Sequence, residues 1–151
     1  MKLPQGFVGA ATAAGIKSSG AKDLTLIVNH GPLNWASAVF TTNQVIAAPV
    51  MWSKEVIKGS AVRAVVLNSG GANACTGPQG FQDTHKTAEH VASLLNHSSS
   101  EIFVCSTGMI QRTCYKLSSA GWCMNNSKIG TVIYGKYQLR RNRVYSRQSI
   151  I

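Results

Sequence analysis

Acidic residues are scarce in this 151-residue chain: five Asp and Glu stand against fifteen Lys and Arg, and no acid lies beyond Glu101. Asp23, Glu55, Asp83, Glu89 and Glu101 are isolated from one another, so no paired-carboxylate acid/base pattern is present. The four cysteines (Cys75, Cys105, Cys114, Cys123) show no CxxC spacing, which argues for reduced small residues rather than a zinc site or a disulfide framework. No apolar run is long enough to span a membrane. Met1–Phe7 has neither a signal-peptide core nor an arginine-rich transit pattern, so the expected location is the cytoplasm, with no membrane partner. No internal repeat occurs, and no linker precedes residue 111. The glycine-rich loop Asn68–Gly77 has neither P-loop spacing, with its following lysine, nor the GxGxxG pattern, which argues against a nucleotide site.

A net charge of +10 invites a nucleic-acid reading, but the charge is unevenly placed. Residues 1–110 hold seven Lys/Arg against five acids, a net +2, whereas residues 111–151 hold eight Lys/Arg and no acid, a net +8. All four tyrosines lie in the tail and all four phenylalanines before it. The chain therefore divides into residues 1–110 and an irregular basic tail, 111–151. One reading of the tail is an arm that binds RNA or an acidic surface, with Arg140, Arg141, Arg143 and Arg147 beside Tyr137 and Tyr145. The other, preferred here, is a stretch never selected to fold in this place, such as the product of a shifted reading frame. Nucleic acid is then not an expected partner. Thr131–Leu139 has the pattern of a small hairpin, and disorder is expected for about the last ten residues.

The chain is organised around Arg63–Asn96. Ala64–Asn68 is a short apolar run, Ser69–Gly77 a loop of small and polar residues, and Phe81–Leu95 is periodic, with Phe81, Ala88, Val91, Ala92 and Leu95 on one helical face. Thr76 and Gln79 have the spacing of a capping box, and Pro78 suits an early helical position. Glu101–Cys105 follows as a strand ending in Ser106-Thr107-Gly108. Strand, helix and strand at this length predict a right-handed β-α-β unit with parallel strands, whose two small-residue loops leave the same sheet edge. Upstream, residues 6–17 fit a strand or a weak helix, with Gly9 and Gly15 favouring the strand. Asp23–Asn29 and Trp35–Thr41 read as strands, and Ala47–Lys58 as a helix with Pro49 in its first turn and Gly59 as its stop. The expected fold class is α+β, a mixed sheet with helices.

Three places carry candidate chemistry. Amides of the loop 68–77 can form an anion nest, though a tight strand-to-helix turn is preferred. Cys75, just before a helix N-terminus, has the position of an activated thiol, with His85 or His90 as base; a buried or half-buried inert thiol is preferred, and His30 reads as a turn residue. Thr107 and Gly108, at a strand end, can aim a hydroxyl and an amide at one point, as an oxyanion hole in acyl transfer requires.

Six motifs, read in order, resemble a known family. They are Pro4–Phe7, Ala13–Lys17, Val39–Asn43, Ala47–Val50, Asn68–Gly77 and Cys105–Gly108. Residues 3–110 resemble the N-terminal part of the ornithine acetyltransferases, the bifunctional glutamate N-acetyltransferases of arginine biosynthesis. The resemblance implies an αββα-type sandwich, here incomplete, and acetyl transfer from N-acetylornithine to glutamate, with acetyl-CoA as co-substrate in bifunctional members. It implies a nucleophilic threonine exposed by self-cleavage, cleaved chains that stay together as a hetero-oligomer, no metal or resident cofactor, and Thr107 and Gly108 as the oxyanion hole. The resemblance stops after Ile110, and the self-cleavage segment with its nucleophile is absent from the rest of the sequence. The expectation is an N-terminal fragment, inactive as a lone chain, whose tail follows a frameshift.

Overall fold

The architecture is described by a computed structural model for residues 4–110. Readings that concern the tail, including the 131–139 hairpin and the RNA-binding arm, lie outside the described residues. Four strands form one mixed sheet in the order β1 (Phe7–Thr12), β2 (Leu24–Asn29), β3 (Ala64–Ser69) and β4 (Ile102–Thr107). β1 and β2 pair antiparallel, as do β2 and β3, whereas β3 and β4 run parallel. Helix α1 (Ala48–Val56) precedes β3, and α2 (Gly77–Leu95) makes the crossover from β3 to β4. The glycines of residues 6–17 thus resolve in favour of a strand, and the β-α-β unit forms as its sequence predicts.

Strand alternation places the core. Leu24, Leu26, Val28, Ala64, Val66, Ile102 and Val104 turn to one face and are buried there against Ala88, Val91 and Ala92 of α2. Gly80 and Thr84 complete the buried stripe of α2, while Phe81 and Leu95 are only half buried. The opposite sheet face carries Ile27, Val65, Leu67 and Phe103, all partly accessible. This is one mixed sheet with helices, the α+β class expected from the sequence.

Three local expectations are corrected. Trp35–Thr41 is not a strand: Trp35 makes an isolated bridge to Ala61, Trp35 is 86% and Val39 99% exposed, and no strand among the described residues runs alongside. The Thr76/Gln79 capping box does not form. Thr76 lies at φ −104°, ψ 0°, outside the extended region an N-cap takes, and makes no side-chain cap bond; its Oγ1 donates to Asn73 Oδ1 at 2.6 Å and Gln79 Nε2 donates to Asp83 Oδ1 at 2.9 Å. The capping box that does form is Ser98/Glu101, at the short 3-10 turn before β4. Beyond α1 a 3-10 turn runs through Ile57–Gly59, and the left-handed stop is Ser60, not Gly59.

Two side chains of α1 donate to β4. Trp52 Nε1 reaches the Ile102 carbonyl at 2.9 Å and Ser53 Oγ the Val104 carbonyl at 3.2 Å. Ser53 is buried, so Ser53→Ala is expected to cost about 1 kcal/mol, the net value of one internal hydrogen bond. Denaturant unfolding with an unchanged m-value checks this.

Candidate functional site

The parallel pairing of β3 and β4 sends their following loops off one sheet edge, where they are fastened together. Ser106 Oγ donates to Asn68 Oδ1 at 2.5 Å, and Asn68 Nδ2 donates to the Gly71 carbonyl at 3.0 Å. The Gly70 amide donates to the Thr107 carbonyl at 3.0 Å and the Ala72 amide to the Met109 carbonyl at 3.2 Å. Gly108 sits at φ +140° directly on the glycine pair: a Cβ there would lie 2.5 Å from the Gly71 nitrogen and 2.7 Å from the Gly70 carbonyl carbon. Only glycine permits that approach.

Amides 70 and 72 are therefore spent on β4 and its continuation, so the preferred tight-turn reading of 68–77 describes the loop better than an anion nest. Its far end is pinned to α2. Asn73 Nδ2 donates to the Gly80 carbonyl at 2.7 Å and to Thr84 Oγ1 at 2.9 Å, and the Thr84 hydroxyl donates to Gly80 O at 2.9 Å.

Thr107 and Gly108 are exposed, and neither the Thr107 hydroxyl nor the Gly108 amide has a hydrogen-bond partner among the described residues. A hydroxyl and an amide, adjacent and unspent on a rigid strand end, suit an oxygen that gains negative charge during a reaction.

The thiol candidate does not assemble. Cys75 is exposed, which corrects the expectation of a buried or half-buried side chain, and it takes a left-handed φ of 57°. No hydrogen bond joins it to a histidine. His85 instead stacks on Trp52, with ring centroids 4.8 Å apart, and lies 3.5 Å from Glu89. The Nε2 of His90 is buried without a hydrogen-bond partner, and burial lowers its pKa. His30 is an exposed residue beside the Asn29 turn, where the Gly31 amide donates to Asn29 Oδ1 at 2.8 Å. Cys105 is free and exposed on β4, and partial desolvation of its thiol raises its pKa. No group of three or more His, Cys, Asp or Glu among the described residues is placed to hold a metal ion.

Sequence reasoning missed Asp23, which it treated as one more isolated acid. Asp23 is 3% exposed, and its carboxylate accepts from the amides of Ala14 (2.5 Å), Ile16 (2.6 Å) and Lys17 (2.9 Å). Burial pushes its carboxyl up, but the amides of Lys17, Ala14, Ile16 and Gly15 pull it down further, and the pKa lies below the ordinary 3.8. The signal available in sequence was the loop Ala13–Lys17, whose amides need acceptors, next to an acid with no cation paired to it.

The pattern that defines the ArgJ family matches residues 9–119. The arginine biosynthesis bifunctional protein ArgJ of Streptomyces avermitilis is 61% identical over 106 residues, which is 70% of this chain and 28% of that protein. The ArgJ of Thermobifida fusca is 58% identical over 107 residues, again 28% of its length. Among solved structures, the ornithine acetyltransferase of Mycobacterium tuberculosis, crystallised with ornithine, superposes with a TM-score of 0.73 at 52% identity and covers 80% of this chain and 65% of its own. The ArgJ of Bacillus halodurans gives a TM-score of 0.70 at 32% identity. The chain thus spans little more than a quarter of the curated relatives it matches. No helix among the described residues is long and apolar enough to cross a membrane.

Proposed function

The chain belongs to the ArgJ family of arginine-biosynthesis acetyltransferases, and from that membership we propose that residues 1–110 carry the oxyanion-binding part of an enzyme that moves an acetyl group from N-acetylornithine to glutamate. The observation that carries the reading is the Thr107–Gly108 pair, an unspent hydroxyl and amide braced against Gly70 and Gly71 at the edge where β3 and β4 end. Attack on an acetyl carbonyl puts negative charge on its oxygen, and fixed donors there stabilise the tetrahedral state more than the ground state. The Thr107 hydroxyl and Gly108 amide take this role.

The nucleophile comes from elsewhere. No residue from 4 to 110 matches the family's self-cleavage threonine, and Cys75 has no base beside it. In the assembled enzyme the nucleophilic threonine is supplied by a segment outside residues 4–110, and the cleaved chains stay together as a hetero-oligomer in the cytoplasm. N-acetylornithine and glutamate are the small-molecule partners, and acetyl-CoA is the alternative donor where the assembled enzyme is bifunctional. Support for an amino-acid ligand comes from the Mycobacterium tuberculosis relative, crystallised with ornithine.

The test is reconstitution. The purified chain alone is expected to form no N-acetylglutamate from N-acetylornithine and glutamate. Mixed with the remaining portion of the Streptomyces avermitilis protein, it is expected to restore transfer. Thr107→Ala in that mixture should lower kcat about 10²–10³-fold, the loss seen when one oxyanion donor is removed. Transfer by the chain alone, or a full rate with Thr107→Ala, would overturn the reading.

A further inference from the structure

We propose that Asp23 is a positioning residue for the Thr107–Gly108 pair, acting through the loop Ala13–Lys17 and the glycines Gly70 and Gly71; the role rests on the oxyanion reading above. Two routes lead from Asp23 to the pair. Through its side chain, the carboxylate gathers the amides of Ala14, Ile16 and Lys17. This fixes Ile16 and Lys17 over Gly70, where a Cβ would lie 3.0 Å from both Ile16 Cγ2 and Lys17 Cγ. Through its main chain, the Asp23 carbonyl accepts the Ser69 amide at 2.8 Å, and its own amide donates to Thr12 O at 3.0 Å.

Gly70 therefore has the captured loop on one side, and its neighbour Ser69 is tied to the Asp23 backbone. On its other side Gly70 donates to the Thr107 carbonyl and packs on Gly108. Each link is a hydrogen bond of 2.5–3.0 Å or an approach in which an added Cβ would be crowded at 3.0 Å or less, so displacement at the loop has little slack to absorb it. Asp23 touches none of the reacting atoms. Its work is to keep two donors where a carbonyl oxygen will be, and misplacement by an ångström at such a site can cost a hundredfold in rate.

The test uses the whole 151-residue chain, labelled with 15N. Asp23→Asn keeps the size and both backbone bonds but turns one acceptor into a donor that faces amides. It is expected to move the Gly70, Gly71 and Gly108 amide resonances and to speed exchange at the Gly70 amide tenfold or more relative to Val66. Val91→Ala, a core truncation on α2, is the control. It should speed exchange throughout the sheet and leave the Gly108 resonance in place. Ile16→Ala loosens the same loop while sparing the carboxylate and should move the same resonances as Asp23→Asn; if Asp23→Asn does not fold, it decides alone. Coincidence of these resonances with wild type, or equal displacement by Val91→Ala, overturns the proposal. In the reconstituted enzyme Asp23→Asn should lower kcat tenfold or more with KM unchanged, and a loss confined to KM also overturns it. If acetyl transfer is never obtained, the family-based reading fails while the resonance test still decides the coupling.

Discussion

Gly108→Ala is expected to destabilise the chain by about 4 kcal/mol, from two causes that add. Alanine at φ +140° costs roughly 1–3 kcal/mol in backbone strain. Its Cβ also meets main-chain atoms of Gly70 and Gly71 at 2.5–3.0 Å, and these belong to a loop tied down at Asn68, Gly70 and Ala72. Overpacking of this sort costs roughly 1–3 kcal/mol, and the lower entropy of an unfolded alanine returns only about 0.4–1 kcal/mol. For a folded unit near 100 residues, the melting temperature should fall by roughly 15–30 °C. Alanine at Gly59, where a Cβ would meet nothing within 4 Å and φ is not positive, is the companion control and should leave the melting temperature almost unchanged. A Gly108→Ala protein melting within 2 °C of wild type would show that β4 and the glycine loop are not in contact as described.

Asp23 gives the second large effect, and its sign with pH is determined. Its pKa is lower folded than unfolded, where it is the ordinary 3.8. The carboxylate's contribution is therefore complete above pH 3.8 and is lost as the pH falls through the folded value below it. Asp23→Ala leaves the amides of Ala14, Ile16 and Lys17 without their acceptor, and hydrogen bonds to a charged group are worth about 1.5–3 kcal/mol each. Water reaches exposed Gly15 and half-buried Lys17 and recovers part of the loss, so the expected cost near neutral pH is about 3 kcal/mol. Melting curves of wild type and Asp23→Ala should run parallel from pH 7 to about pH 4 and converge in stronger acid. A gap that stays constant down to pH 2 would mean that the charge is not what stabilises the loop.

The parts of this fold that could be read from sequence are those where burial and chain geometry act locally. The strand expected over Asp23–Asn29 forms as Leu24–Asn29, and of the helical face Phe81, Ala88, Val91, Ala92 and Leu95 the three central residues are buried and the two outer ones half buried. The β3-α2-β4 crossover followed from length, and with it the meeting of loops 68–77 and 106–108. Trp35–Thr41 failed for the same reason that these succeeded. An apolar, β-branched run reports side chains suited to a pleated surface, but it does not supply the neighbouring strand that would make one.

Capping at Thr76 failed through competition. The motif names a hydroxyl and an amide with the right spacing, but the backbone at Thr76 is not extended and its hydroxyl turns to Asn73, a residue outside the motif. Within the candidate site, Thr107 and Gly108 were named from their place at a strand end and from the family resemblance; a Thr-Gly at a strand end is too short a pattern to stand alone. Asp23 was not found, because its partners are backbone amides, which every sequence has and none displays.

The hydrogen bonds from α1 to β4 also give the sheet a direction of growth. Glu101 and Thr107 turn their carbonyls to β3, accepting from Arg63 and Gly70, so the carbonyls of Ile102 and Val104 between them face outward. Trp52 and Ser53 occupy those outward acceptors. A strand arriving at this border would find two of its acceptors, the carbonyls of Ile102 and Val104, already taken by a helix. At the opposite border, no described strand lies beyond β1. No such helix bond crosses the flank of Phe7–Thr12 among the described residues, so a further strand, from a complementary chain or by self-association, meets less obstruction there.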